Sequence, residues 1–77
     1  MFAVYNTKKE RPTLKEAQEF VGGMVQIVYC PSDPDTQLLV NEEGLLLDLP
    51  WNDKATDLAK TGIVGNAIFL KGNAKWD

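Results

Sequence analysis

Residues 13–30, TLKEAQEFVGGMVQIVYC, change hydrophobic period half-way along, and few folds accommodate that change in so short a stretch. Leu14, Ala17, Phe20 and Val21 recur at helical spacing, behind a Thr13 and Glu16 pair set three apart as in a capping box. Gly22 or Gly23 supplies the left-handed residue that ends this helix. From Met24 the period becomes two: Val25, Ile27 and Tyr29 fall on one side, Gln26 and Val28 on the other, in a β-branched and aromatic run. The spacing predicts a helix over 13–21 leading into a central strand over 24–30, hence an α+β domain.

The remaining punctuation divides the chain into short elements. Residues 2–6 alternate weakly, as an edge strand does, and a basic loop follows over 7–12. PSDPDT at 31–36 is a turn by its chemistry, because prolines fix φ and short carboxylates bond nearby amides. Residues 37–41 return as a strand. Glu42, Glu43 and Gly44 form the next tight turn, with Gly44 available for positive φ, and 45–49 is a third strand or a short extended segment. Either Asn52 or Asp53 caps a short helix through about Lys60, with Ala55, Leu58 and Ala59 inward and Gly62 as its stop. Residues 63–71 give a final buried strand after a loop or bulge at Gly65 and Asn66, and 72–77 read as a polar tail carrying Trp76.

The expected architecture is a small, mainly antiparallel sheet with one longer and one short helix. Its sheet is a three-stranded meander plus N- and C-terminal strands. Leu14, Phe20, Val25, Ile27, Leu38, Val40, Leu58, Ile68 and Leu70 are expected to form one core between that sheet and the first helix.

At 77 residues the chain is read as a single domain, 1–77, near the lower limit for an independent core. It is 44% hydrophobic and 25% charged, which places it among folding chains and not disordered ones. A net charge of −3 repels phosphate backbones, so nucleic acid is disfavoured as a partner. One cysteine forms no internal disulfide, no apolar run approaches a membrane span and no basic segment precedes the apolar start. These point to a cytoplasmic protein without membrane contact.

No catalytic constellation is visible. The chain contains no histidine, which removes the commonest general base and zinc ligand. Cys30 ends an apolar strand without a CxxC partner and reads as a buried small hydrophobe. Asp33 and Asp35 have the spacing that opens a calcium loop, but Leu38 stands where that loop needs glycine and Gly44 where it needs glutamate. They are read as stabilising their own turn, and no metal or cofactor is expected. Lys8, Lys9 and Arg11, with Tyr5 near them, make the only basic cluster. Trp51 either staples the second helix to the core, which its place before a cap favours, or stands exposed as an anchor. Trp76 is expected to be partly exposed, as binding hot spots are.

The strings FVGGMVQIVY, QLLVNEEGLLLDLPWNDKAT and IVGNAIFLKG resemble a family of small domains of unknown function found in bacteriophage, plasmid and bacterial mobile-element genomes. The likeness spans roughly residues 14–72. It implies a mobile-element origin and a cytosolic life in a bacterial host, and brings no activity or cofactor with it. Its motif positions here are Asn41, Glu42, Gly44, Asn52, Ala55 and Thr56, open to a structural or a functional reading: Asn52 suits a cap, Gly44 a positive-φ turn position, and Asn41 and Glu42 suit bonds to turn amides.

The functional expectation is a non-enzymatic, phage-type accessory or host-modulating protein that binds a host macromolecule or sequesters a small ligand, with a host or phage protein as the foremost partner. The alternative is a self-assembling structural or regulatory domain of a larger phage complex. Asn41, Glu42, Glu43, Trp51, Asn52, Asp33 and Asp35 are the candidate binding residues. Spare apolar surface and unblocked strand edges suggest a homodimer.

Overall fold

A computed structural model of the chain describes residues 2–31, 33–44 and 47–76. Four strands, β1 (Phe2–Tyr5), β2 (Val25–Tyr29), β3 (Thr36–Asn41) and β4 (Ala67–Lys71), form one sheet in the order β1-β4-β3-β2. Helix α1 (Leu14–Val21) and helix α2 (Asp53–Ala59) complete the α+β fold, with a 3-10 turn at Gly72–Ala74. β2 pairs antiparallel with β3 and β3 with β4, while β1 lies parallel to β4 in the register Phe2↔Ala67 to Tyr5↔Leu70. No helix among the described residues is long and apolar enough to cross a membrane.

Helix α1 begins and ends where its local chemistry dictates. The Thr13 hydroxyl accepts from the Glu16 amide at 3.1 Å and the Glu16 carboxylate accepts from the Thr13 amide at 2.9 Å, the reciprocal capping box. Gly22, at φ 85°, turns the chain out of the helix in the left-handed region that a Cβ disfavours.

The sheet is covered on both faces, so the core is double. On one face Ala17 and Val21 of α1, with Phe20 beside them, pack on Leu39, Ile68 and Leu70. On the other, Ala55 and Ala59 of α2 pack with Ile63 on Leu38, Val40, Ala67 and Phe69. The single core expected from sequence is thereby corrected: Leu38, Val40 and Leu58 belong to the α2 side. Leu14 is 56% exposed and Ile27 37% exposed, so neither is a core residue. The pleat explains the division, since neighbours along β3 and β4 point to opposite faces.

Several other expectations are revised. β2 is an edge strand, not a central one, because β4 and not a hairpin partner occupies the far side of β3. The third meander strand does not appear in the described part of 45–49: Leu47 and Asp48 lie in a turn, with Asp48 at φ 55°, and residues 45 and 46 fall outside the described set. Gly44 does not adopt positive φ; a Cβ there would sit 2.8 Å from Cγ2 of Val64, so close approach is what it serves. The polar tail is built into the domain: Ala74 is fully buried, and Gln37 exchanges two hydrogen bonds with the Trp76 main chain, at 2.7 and 2.6 Å. Cys30 is buried, as expected.

Candidate functional site

The loops divide between the two ends of the sheet. At one end, after β3, the chain turns through Asn41, Glu42 and Glu43 beside the 61–64 loop. At the other lie the 6–12 loop, the 33–35 turn that leads into β3 and the 72–76 segment. The candidate binding residues are split between these ends, about 17–20 Å apart along β3, so they do not form one site.

Asn41, Glu42 and Glu43 border a cleft of about 440 Å³ whose apolar wall is Val28, Val40, Ile63 and Val64. Asn41 is not available to a ligand there. It is buried, its Nδ2 donates to the Val21 carbonyl at 3.1 Å and its Oδ1 accepts from the Glu43 amide at 2.7 Å. Asn66, which sequence reasoning passed over, likewise donates to the Phe20 carbonyl at 2.9 Å. Two asparagine amides thus satisfy carbonyls that the end of α1 leaves open. Glu42 and Glu43 keep exposed side chains at the rim.

Asn52 is the N-cap of α2, accepting from the Ala55 amide at 3.2 Å, and it also donates to the Gly65 carbonyl at 2.9 Å. Thr56 closes the same loop, its hydroxyl donating to the Ile63 carbonyl and accepting the Ile63 amide. The most specific strip of the sequence is therefore largely internal scaffolding. Trp51 is 66% exposed and not a core staple; its ring lies over Gly62, and its backbone bridges to Val64.

At the opposite end, Asp33 accepts from the Thr36 hydroxyl at 2.7 Å, which is the turn role expected of it. Asp35 instead reaches across to the C-terminal segment, accepting from the Gly72 amide at 3.1 Å and pairing with the Lys75 ammonium at 3.2 Å. Both carboxylates are thus engaged within the chain. Among the described residues no group of three or more histidine, cysteine or acidic side chains is placed to hold a metal.

This end also holds a second cleft, of about 540 Å³, lined by Lys8, Arg11, Lys75, Tyr29 and Trp76 among others. Arg11 donates to the Lys75 carbonyl at 2.8 Å, which holds the 6–12 loop against the C-terminal segment. Sequence reasoning grouped Lys8 and Arg11 with Lys9 and Tyr5, its neighbours in the chain. The partners that fold supplies, Tyr29, Lys75 and Trp76, come from distant positions.

The profile of a known family matches residues 3–77. The chain belongs to DUF3846, a domain of unknown function. No curated protein matches it, and no solved structure does. The one thiol is buried, and burial, with the Asp33 carboxylate second, pushes its pKa up, so it is held in the protonated, unreactive form.

The third surface feature is the open edge of β2. Met24 is 57%, Ile27 37% and Tyr29 71% exposed, and the strand VQIVY carries neither charge nor proline. At the other edge, β1, Phe2 stacks on Phe69 with ring centroids 5.4 Å apart, and the Lys54 ammonium sits 5.6 Å from the Phe2 centroid.

Proposed function

We propose that this domain is a non-enzymatic accessory protein, of the kind carried by phages and mobile elements, that acts in the bacterial cytosol by binding another protein along β2. The observation that carries the reading is the unpaired β2 edge with Met24, Ile27 and Tyr29 exposed beside it. An edge strand offers a row of free amides and carbonyls, and an incoming strand gains affinity from them and specificity from alternate side chains. Such an uncharged edge is an aggregation liability unless something pairs with it. The absence of histidine from the sequence and the use of Asn41, Asn52, Thr56 and Asp35 in internal hydrogen bonds favour binding over catalysis.

A second copy of the chain suits the same edge, since two β2 strands related by a twofold axis would pair antiparallel and continue the sheet. Photo-crosslinking separates the two cases. A benzophenone side chain placed at Met24 in the cellular protein is expected to give a discrete adduct with a different protein, lost in an Ile27→Asp background that remains folded. An adduct of twice the chain mass, matched by a dimer in light scattering, would assign the edge to self-assembly. No discrete adduct at Met24 or at Tyr29 would sink the reading.

A further inference from the structure

We infer that the cleft between the 6–12 loop and the C-terminal segment binds a small phosphorylated ligand with a planar ring, of the nucleoside monophosphate class. This cleft adjoins the strand edge proposed above and shares Tyr29 with it, while its cations lie outside that edge.

The charge is the first argument. The chain as a whole carries −3, yet this cleft is lined by Lys8, Arg11 and Lys75. Asp35 offsets Lys75 at 3.2 Å, and that is the only ion pair among the described residues, so within that set Lys8 and Arg11 have no carboxylate partner. Two cations that make no ion pair among the described residues thus line one concavity in a protein with more acidic than basic side chains. The Lys75 carbonyl accepts one N–H of Arg11, whose planar fork carries five, so donors remain for a bidentate contact with phosphate oxygens.

Aromatic side chains stand beside these charges. Tyr29 presents a ring that is 71% exposed, and Trp76 lines the same cleft with its backbone fixed by the two hydrogen bonds to Gln37. Aromatic side chains next to cations suit a ligand that joins a planar ring to an anion. The exposed amide of Asn73 is a donor and acceptor for the ring's polar edge. A volume of about 540 Å³ falls within the range of small-molecule pockets.

The test uses the full chain carrying Trp51→Phe, so that Trp76 alone reports, titrated with AMP, adenosine and inorganic phosphate. AMP is expected to change Trp76 fluorescence saturably and to shift the amide resonances of Lys8, Arg11 and residues 72–76. Adenosine and phosphate are each expected to bind at least tenfold more weakly. Lys8→Glu, an exposed loop substitution, should weaken AMP at least tenfold while the rest of the amide spectrum stays in place, and Tyr29→Ala should weaken AMP and adenosine alike. No saturable response to millimolar AMP would overturn the inference, as would affinity unchanged in Lys8→Glu or shifts confined to the 41–44 end. Phosphate binding as tightly as AMP would remove the ring. A single-stranded RNA hexamer binding more than tenfold tighter through the same amides would replace the mononucleotide with a polymer. Because Lys8→Glu leaves Met24 and Ile27 untouched, loss of AMP binding and loss of the crosslinked partner are separable results.

Discussion

The side-chain amide of Asn41 is wedged between two main-chain groups, donating to the Val21 carbonyl at 3.1 Å and accepting from the Glu43 amide at 2.7 Å. It joins the end of α1 to the end of β3, and Gly23 packs against it: a Cβ there would lie 3.1 Å from Nδ2.

Asn41→Ala is therefore expected to cost about 2 kcal/mol in urea unfolding, because it leaves a buried carbonyl and an amide without their partner. Asn41→Asp should cost more than Asn41→Ala, since an oxygen then faces the Val21 carbonyl. A loss of only a few tenths of a kcal/mol in both variants would mean that water replaces the asparagine freely.

The centre and the edge of the sheet should respond differently to truncation. Phe69 is fully buried on β4, so Phe69→Ala is expected to cost about 3–5 kcal/mol. Ile27, 37% exposed on β2, should cost clearly less on Ile27→Ala, below the 2–5 kcal/mol of a buried site. Equal losses would place β2 inside the sheet or under a partner subunit.

Gln37 ties the C-terminal segment to β3 in both directions. Gln37→Glu keeps the acceptor and sets a carboxylate oxygen against the Trp76 carbonyl, for an expected loss of about 1–3 kcal/mol at pH 7. Protonation restores a donor, so the variant's folded carboxyl pKa should lie above its unfolded value near 4.3. That contribution is present below the unfolded pKa and disappears as pH rises through the folded one. Melts from pH 4 to 7 should show the deficit relative to Gln37 growing with pH.

Cys30 gives the alkaline counterpart. Burial, then Asp33, raises its thiol pKa, so above about pH 8.5 the unfolded chain loses the proton before the folded one does. The folded state then binds more protons than the unfolded state, and stability falls with rising pH. Cys30→Ala removes this dependence. Between pH 7 and 10 the wild type should lose more stability than the variant, and equal slopes would contradict the buried, protonated thiol.

What was legible in the sequence was what is decided locally. The Thr13 and Glu16 box is as the sequence indicates, and of the alternatives it left open the fold uses Gly22 over Gly23 and Asn52 over Asp53, while α2 ends at a left-handed Lys60 and not at Gly62. VQIVY identified a strand, but β-branched composition does not distinguish a strand paired on one side from one paired on both. The double core was hidden because β3 buries Thr36, Gln37 and Asn41 along with its apolar residues. Thr36 is satisfied by Asp33 within its own turn, whereas the Trp76 and Val21 partners of Gln37 and Asn41 are ones that only the fold reveals. The motif strip was visible as a pattern, yet its internal use could not be read until Thr56 was seen to close on Ile63. The basic cleft was half visible: Lys8 and Arg11 adjoin in sequence, while Tyr29 and Lys75 do not.

The parallel pairing of β1 with β4, Phe2 opposite Ala67, makes the order of synthesis matter. β1 emerges from the ribosome first, and its one neighbour in the sheet emerges last of the four strands. A nascent chain stopped before residue 67 has β2, β3 and both helices but no strand between β1 and β3, so the half of the sheet that buries Phe69 cannot exist. The domain must wait for its final strand, and until then Phe2 and the far side of β3 are open to whatever chaperone or neighbouring chain reaches them first.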